Sequence, residues 1–400
     1  MGAGGITKNR GRQLALFASL TWGFTMWSRT AFNYYTDALG INASRLGAVN
    51  FMTSIGSMLG AILLCRIADN RNCRTRVLGC GLLLSAAMQG LICLSSSFGA
   101  IIACRFIMGI GLGCAYSLTQ AIVENASLPK ERPANAGIVE NGEAVISTMI
   151  GPMVIVFAIS RIGWRGANAM LALPVFLIAV IWLRISLKTK GAGTRPREQA
   201  AERVTFVALL KVHNMKLCII LGVLTLTNVW TMYSCCPMYW SKNGYSDTEM
   251  STIMTAMGLV AILACFVLPA ASNRLGRKKI AGLFAVLNAG AYLLLFLYPG
   301  SIVSLVCFVA FGGSACTLSM FFMALITTES VKPQYAASAI SLVNATSEIC
   351  GGAVGPLAAG LIADAFGVKT AMLFAAVCMA AAAVLVTFLK ETAPGLEKER

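Results

Sequence analysis

Apolar blocks of about twenty residues recur along the whole chain, and they leave few folds open. They fall at roughly 13–35, 45–66, 76–96, 99–123, 134–159 and 165–187, and again near 215–239, 248–271, 279–298, 301–327, 336–362 and 368–389. As helix, each block is long enough to cross about 30 Å of hydrocarbon, and a helix satisfies its own backbone groups where there is no water. Of the 400 residues 57% are hydrophobic and 12% charged, too few charges to clothe a soluble surface. The expected fold is all-α: twelve transmembrane helices in two six-helix bundles, 1–187 and 215–400. Between them, 188–214 is polar and basic and holds Gly191, Gly193 and Pro196, as a linker would. Its last part, 203–213, mixes apolar and charged residues and is expected to lie along the membrane surface.

The two sets of blocks are copies. Shifted by 204 residues, Tyr35 meets Tyr239, Gly40 meets Gly244, Asp69 meets Asn273 and Arg74 meets Lys278. Gly109 meets Gly313, Pro129 meets Pro333, Gly151-Pro152 meets Gly355-Pro356, and Gly163 meets Gly367. Six spans per copy give both halves the same orientation, a parallel repeat about an axis along the membrane normal. Such repeats are expected to place a small-molecule site near mid-membrane between the halves. The Gly-Pro pairs are expected to mark bends or close helix packing.

The net charge of +16 is concentrated in alternate loops: Lys8 to Arg12, Arg66 to Arg76, Lys130 and Arg132, the linker, Arg274 to Lys279, Lys332, and Lys390 onward. Intervening loops hold only Arg45, Arg161, Arg165, Lys242 and Lys369. This positive-inside pattern predicts both termini in the cytoplasm of a plasma membrane (the inner membrane in a bacterium) and contact with anionic lipid. It is not the compact basic face of a nucleic-acid binder. None of the fourteen cysteines has zinc-ligand or redox-loop spacing. The first apolar block is too long for a cleaved signal and reads as a retained helix. No metal site, cofactor motif or catalytic cluster is recognisable, so an enzyme is not expected.

Several motifs resemble the major facilitator superfamily over essentially the whole chain. The loop after the second span reads Arg66-Ile67-Ala68-Asp69 with Arg71, Arg74 and Arg76, and its copy runs Asn273-Arg274-Leu275-Gly276-Arg277-Lys278-Lys279. Cys65 and Asn72 stand where that motif usually has glycine. The fourth span carries Arg105 followed by Gly109, Gly111 and Gly113. Glu124, Pro129 and Arg132, then Gly163-Trp164-Arg165, with Arg29 in the first span, are similar to the anion:cation symporter and sugar-phosphate permease branch. The resemblance implies the major facilitator fold and a gating charge network of Asp69, Arg74, Glu124 and Arg132. That branch often has an acid two turns after the fourth-span arginine, where Leu112 stands here.

A charge inside a span is costly and marks function. Arg29 and Arg105 each lie about six residues from the same end of their spans, roughly 9 Å deep, so they could share one level. A guanidinium is a permanently charged planar fork for carboxylate or phosphate; the plainer reading has Arg29 snorkelling or paired with Asp37, and Arg105 structural. If spans 1, 4, 7 and 10 line a cavity, Trp22, Tyr34, Tyr116, Gln120, Asn228 and Tyr233 are further substrate contacts, beside Trp27, Thr227, Trp230, Thr317 and Ser319. Glu140, Glu143 and Glu348 are the candidate proton carriers; the single histidine, His213, lies in the linker, which excludes a histidine relay. The leading expectation is a monomeric symporter of a small organic anion coupled to a proton or cation. A proton-coupled exporter of drugs or metabolites is the first alternative, and a membrane receptor or scaffold without transport is the second.

Overall fold

Polarity in this molecule runs from the inside out. In the computed structural model, which describes residues 8–95, 97–128, 131–188, 209–332 and 335–393, large apolar side chains stand exposed on the helices, among them Leu94 at 80%, Phe366 at 73% and Phe157 at 60%. Thr21, Thr25, Ser28, Arg29 and Thr30 of the first helix are buried instead. Water would reject that arrangement and lipid favours it.

Ten helical segments are long and apolar enough to cross a membrane. One of them, Asn135–Leu187, is divided at Gly163, and Lys8–Thr30 falls outside the ten because its inward face is polar. Twelve spans result among the described residues. They are α1 (Lys8–Thr30), α2 (Ala43–Asn70), α3 (Arg74–Leu94), α4 (Phe98–Ala126), α5 (132–162) and α6 (164–188). The second set is α7 (His213–Lys242), α8 (Asp247–Leu275), α9 (Arg277–Leu297), α10 (Ile302–Glu329), α11 (Ala339–Phe366) and α12 (Val368–Val386). Of the expected linker, 188–214, only 188 and 209–214 lie among the described residues.

The repeat has a backbone reason. Gly40 and its copy Gly244 sit at φ +61° and +83°, Gly163 and Gly367 at +69° and +92°, values that cost any residue with a Cβ. Ser97 and its copy Ser301 cap α4 and α10, accepting from Ala100 N and Val303 N. The Gly-Pro pairs end stretches of π-helix, 143–150 before Gly151-Pro152 and 348–353 before Gly355-Pro356. Proline offers no N–H and crowds the carbonyl four residues back, so the ladder ahead of it re-registers to the wider turn. Glu143 and Glu348 open these two stretches.

The chain forms two compact units, Met1–Ala38 with Met52–Pro196, and Leu39–Phe51 with Arg197–Arg400. The first two turns of α2 therefore belong to the second unit. Asp364 of α11 accepts from the N–H groups of Ala43 (3.0 Å) and Ser44 (2.9 Å), a carboxylate on a helix N-terminus, and Asn50 donates to Ser234 at 2.9 Å.

Within the first unit α2 and α4 meet backbone to backbone. A Cβ added at Gly56 or Gly60 would land on the carbonyls of Phe106 or Ile110, and one at Gly109 or Gly113 on those of Thr53 or Ser57. These are two small-xxx-small pairs facing each other. Gly142 of α5 meets the Ser19 carbonyl and Gly23 of α1 the Gly142 carbonyl in the same way.

Candidate functional site

The glycine seams bring three polar helices of the first unit close together. Arg29, in the last turn of α1, donates through Nη2 to Ser54 Oγ of α2 at 2.8 Å and is 8% exposed. Arg105 of α4 is 1% exposed. It donates through Nη1 to the carbonyl of Ser28 (3.1 Å) and through Nη2 to that of Arg29 (2.8 Å). Those carbonyls belong to the end of α1, where the helix offers them no partner of its own. The guanidinium also lies 4.9 Å over the Phe32 ring, and its Nε is buried without a partner. The two arginines therefore do share a level, and Arg105 spends most of its hydrogen bonds on holding the end of α1.

Two turns along α1 the aromatic residues gather. Trp22 lies against Tyr116 with ring centroids 4.9 Å apart. Tyr116 shares hydrogen bonds with Glu140 and Gln120, and Glu143 acts on the same phenol. Gln120 also donates to the Ala136 carbonyl at 3.4 Å, and Thr30 and Ser147 hydroxyls pair at 2.9 Å, so α5 is stitched to both α4 and α1. Trp22, Tyr116, Gln120 and Glu143 are half-buried and Glu140 is exposed. Tyr34, half-buried, ends the short 3-10 turn that follows α1.

In the second unit the acid meets indole. A Cβ on Gly352 would stand 2.7 Å from Glu348 Oε2 and 3.2 Å from Trp230 Nε1, so carboxylate and N–H converge over that glycine. Trp230 in turn lies edge-on to Tyr233 at 5.8 Å. Asn228 is fully buried; its Nδ2 donates to the Ala375 carbonyl of α12 at 3.1 Å, and its Oδ1 is buried without a partner. Arg29 has Tyr233 as its copy in the repeat and Arg105 has Val309, so the charged pair exists in one half only.

At the basic ends of the helices, Arg74 bridges Asp69 at 2.8 Å in the open, their side chains 24% and 48% exposed. Glu124 is exposed near the end of α4, and the side chain of Arg132 lies outside the described residues. A stronger network lies in the second unit. Arg277 bridges Glu329 at 2.8 Å and donates to the Pro269 carbonyl and Ser272 hydroxyl. Glu391 accepts from Arg277 N (2.7 Å) and Lys278 N (3.2 Å), capping α9, and the Thr392 hydroxyl donates to Glu329 at 2.7 Å. Sequence reasoning counted Arg277 as loop charge and missed this network; its only signal was a second basic cluster at the repeat position.

Among the described residues no three of His, Cys, Asp and Glu gather as metal ligands. The family model of the Major Facilitator Superfamily matches residues 14–349 and 217–400. A metabolite transport protein of Haemophilus influenzae is 26% identical over 275 residues, which span 65% of each chain, just under two thirds of that relative. Multidrug resistance protein MdtL of Shewanella oneidensis is 24% identical over 270 residues, 65% of this chain and 67% of that one. Sialic acid transporter NanX of Escherichia coli is 22% identical over 242 residues, 60% and 58% of the two chains. A solved bacterial homolog of the human lysosomal transporter Spinster superposes with a TM-score of 0.79 at 15% identity, covering 98% of this chain and 99% of that one, which shows the fold. With twelve spans among the described residues, an internal repeat and a match along nearly its whole length, the chain belongs to the Major Facilitator Superfamily, a family of membrane transporters rather than enzymes.

Proposed function

We propose that this protein is a secondary active transporter working by alternating access, a proton- or cation-coupled symporter of a small organic anion such as a carboxylate or sugar acid. The observation that carries the reading is the meeting of Arg29 and Arg105 at one level of the first unit, where Arg105 donates to the Arg29 carbonyl and Arg29 to the Ser54 hydroxyl. Two guanidinium groups in a low-dielectric span attract an anion far more strongly than a cationic drug. The acid named in one relative, a sialic acid transporter, is a carboxylate and points the same way. Glu140, Glu143 or Glu348 would carry the proton, and the Asp69–Arg74 bridge would serve the gate. The basic loops support a plasma-membrane location with both termini cytoplasmic; the protein would act as a monomer of two halves, 1–187 and 215–400, joined by the 188–214 linker.

The test is thermal stabilisation of purified protein by panels of organic anions and cations, repeated with Arg29→Gln. A ligand at about a hundred times its dissociation constant stabilises by about 2.7 kcal/mol. A carboxylate or phosphate ester should raise the melting temperature of the native protein and not of the variant. Stabilisation by cations or bulky apolar compounds alone, unchanged by the variant, would replace this reading with the exporter that the MdtL likeness suggests.

A further inference from the structure

Seven residues of α1 separate Trp22 from Arg29, so both side chains leave one face of the helix with their roots about 10 Å apart. The chemistry reverses over that distance. At the Arg29 level the charges are positive. At the Trp22 level the functional groups are two aromatic faces and a carboxylate, Trp22, Tyr116 and Glu140, with Glu143 close by. Among the described residues no arginine or lysine figures among the groups acting on Glu140, and Trp22 Nε1 is buried with no partner. Glu140 is nevertheless exposed on its unit, about eight residues inside α5. A carboxylate open to its surroundings at that depth faces water or a ligand, since lipid would exact too high a cost. An ammonium group answers all three features: the ring faces attract it through their quadrupoles, and the carboxylate supplies the opposite charge and accepts its N–H groups.

We infer that the substrate of this site is a zwitterion, its anionic group read by Arg29 and its cationic nitrogen by Trp22, Tyr116 and Glu140, with the two charges about two helical turns apart. The inference rests on the anion reading above and adds the second pole. The hydrocarbon or ring between the charges runs past the face of α1 between Trp22 and Arg29. A plain carboxylic acid fills half of such a site and leaves Glu140 uncompensated.

A ladder of straight-chain ω-amino acids, from aminobutyrate to aminododecanoate, measures the spacing directly on the full-length protein by thermal stabilisation. Each is compared with its N-acetyl derivative, which keeps the carboxylate and loses the cation, and with its methyl ester, which does the reverse. The expected result is an optimum chain length whose free amino acid binds about tenfold tighter than its N-acetyl derivative. Glu140→Gln and Trp22→Leu should each abolish that preference, the free amino acid then binding no tighter than its N-acetyl derivative. Equal binding of the amino acid and its N-acetyl derivative by the native protein overturns the zwitterion and leaves the anion reading standing. Esters that bind as tightly as the acids, with Arg29→Gln indifferent, overturn both. The ligand ladder needs no variant, so misfolding of Glu140→Gln would not remove the decision.

Discussion

The α2–α4 seam of the first unit and the α8–α10 seam of the second occupy the same place in the repeat, and they are packed by different means. In the first, Gly56, Gly60, Gly109 and Gly113 let two backbones touch. In the second, the corresponding residues are Val260, Ala264, Gly313 and Thr317. There Gly313 faces the Met257 thioether and Ala261, the Thr317 hydroxyl meets Cys265 Sγ at 3.3 Å, and α10 carries two π-helical stretches, 308–312 and 321–325. Backbone contact has no side-chain rotamer to yield, whereas Met257 can swing. The glycine seam is thus the stiffer of the two. It is also the one that carries Arg105, four residues before Gly109, and through it the end of α1. A buried cation is tolerable only where its partners are held still, and the duplication has placed the charge in the half whose seam allows it.

The comparison breaks most readily at one of its tightest points, Gly60 against the Ile110 carbonyl. Gly60→Leu should remove folded protein altogether, a cost of about 3 kcal/mol or more, read as loss of a monodisperse peak after extraction. Gly313→Ala should cost less than about 1.5 kcal/mol; equal damage from both would show the seams to be equally rigid. Next in size is Arg277→Gln, which leaves half-buried Glu329 with the Thr392 hydroxyl but without its cation and should cost about 3 kcal/mol by melting. Arg105→Lys keeps the charge but not the fork to two carbonyls, and should lose about 2 kcal/mol with weaker anion stabilisation. A neutral result would mean that α1 ends firmly without its cap. The smallest effect belongs to Arg74→Gln: its bridge is open to solvent, so stability should move by less than about 1 kcal/mol while transport rate falls if the bridge serves the gate.

How much of this could be read from the residues follows a physical line. Span number and repeat were legible because hydropathy and positive-φ glycines such as Gly163 and Gly367 are properties of single residues. The shared level of Arg29 and Arg105 was legible because helix rise is constant. What the side chain of Arg105 does at that level was not, because a backbone carbonyl leaves no mark in a sequence. The same holds for Ser54, one serine among many, which holds Arg29. The π-helical stretches opened by Glu143 and Glu348 were hidden since helical periodicity assumes a uniform turn, although the following prolines were their signal. Asn228 was reached by helix number alone; that its Nδ2 donates to α12 while its Oδ1 stays buried without a partner left no mark in the sequence.

The cap on α9 also has a timetable. Glu391 is made 114 residues after the Arg277 amide it receives, and Thr392 follows 63 residues behind Glu329. While the ribosome is still threading α11 and α12 into the bilayer, Glu329 has Arg277 but not yet Thr392, and α9 begins without the carboxylate that caps it. Deletions that reach back past residue 391 should therefore be felt during biogenesis, as chains caught by quality control before they ever transport. A fusion partner appended beyond residue 393 would leave that last stitch free to close.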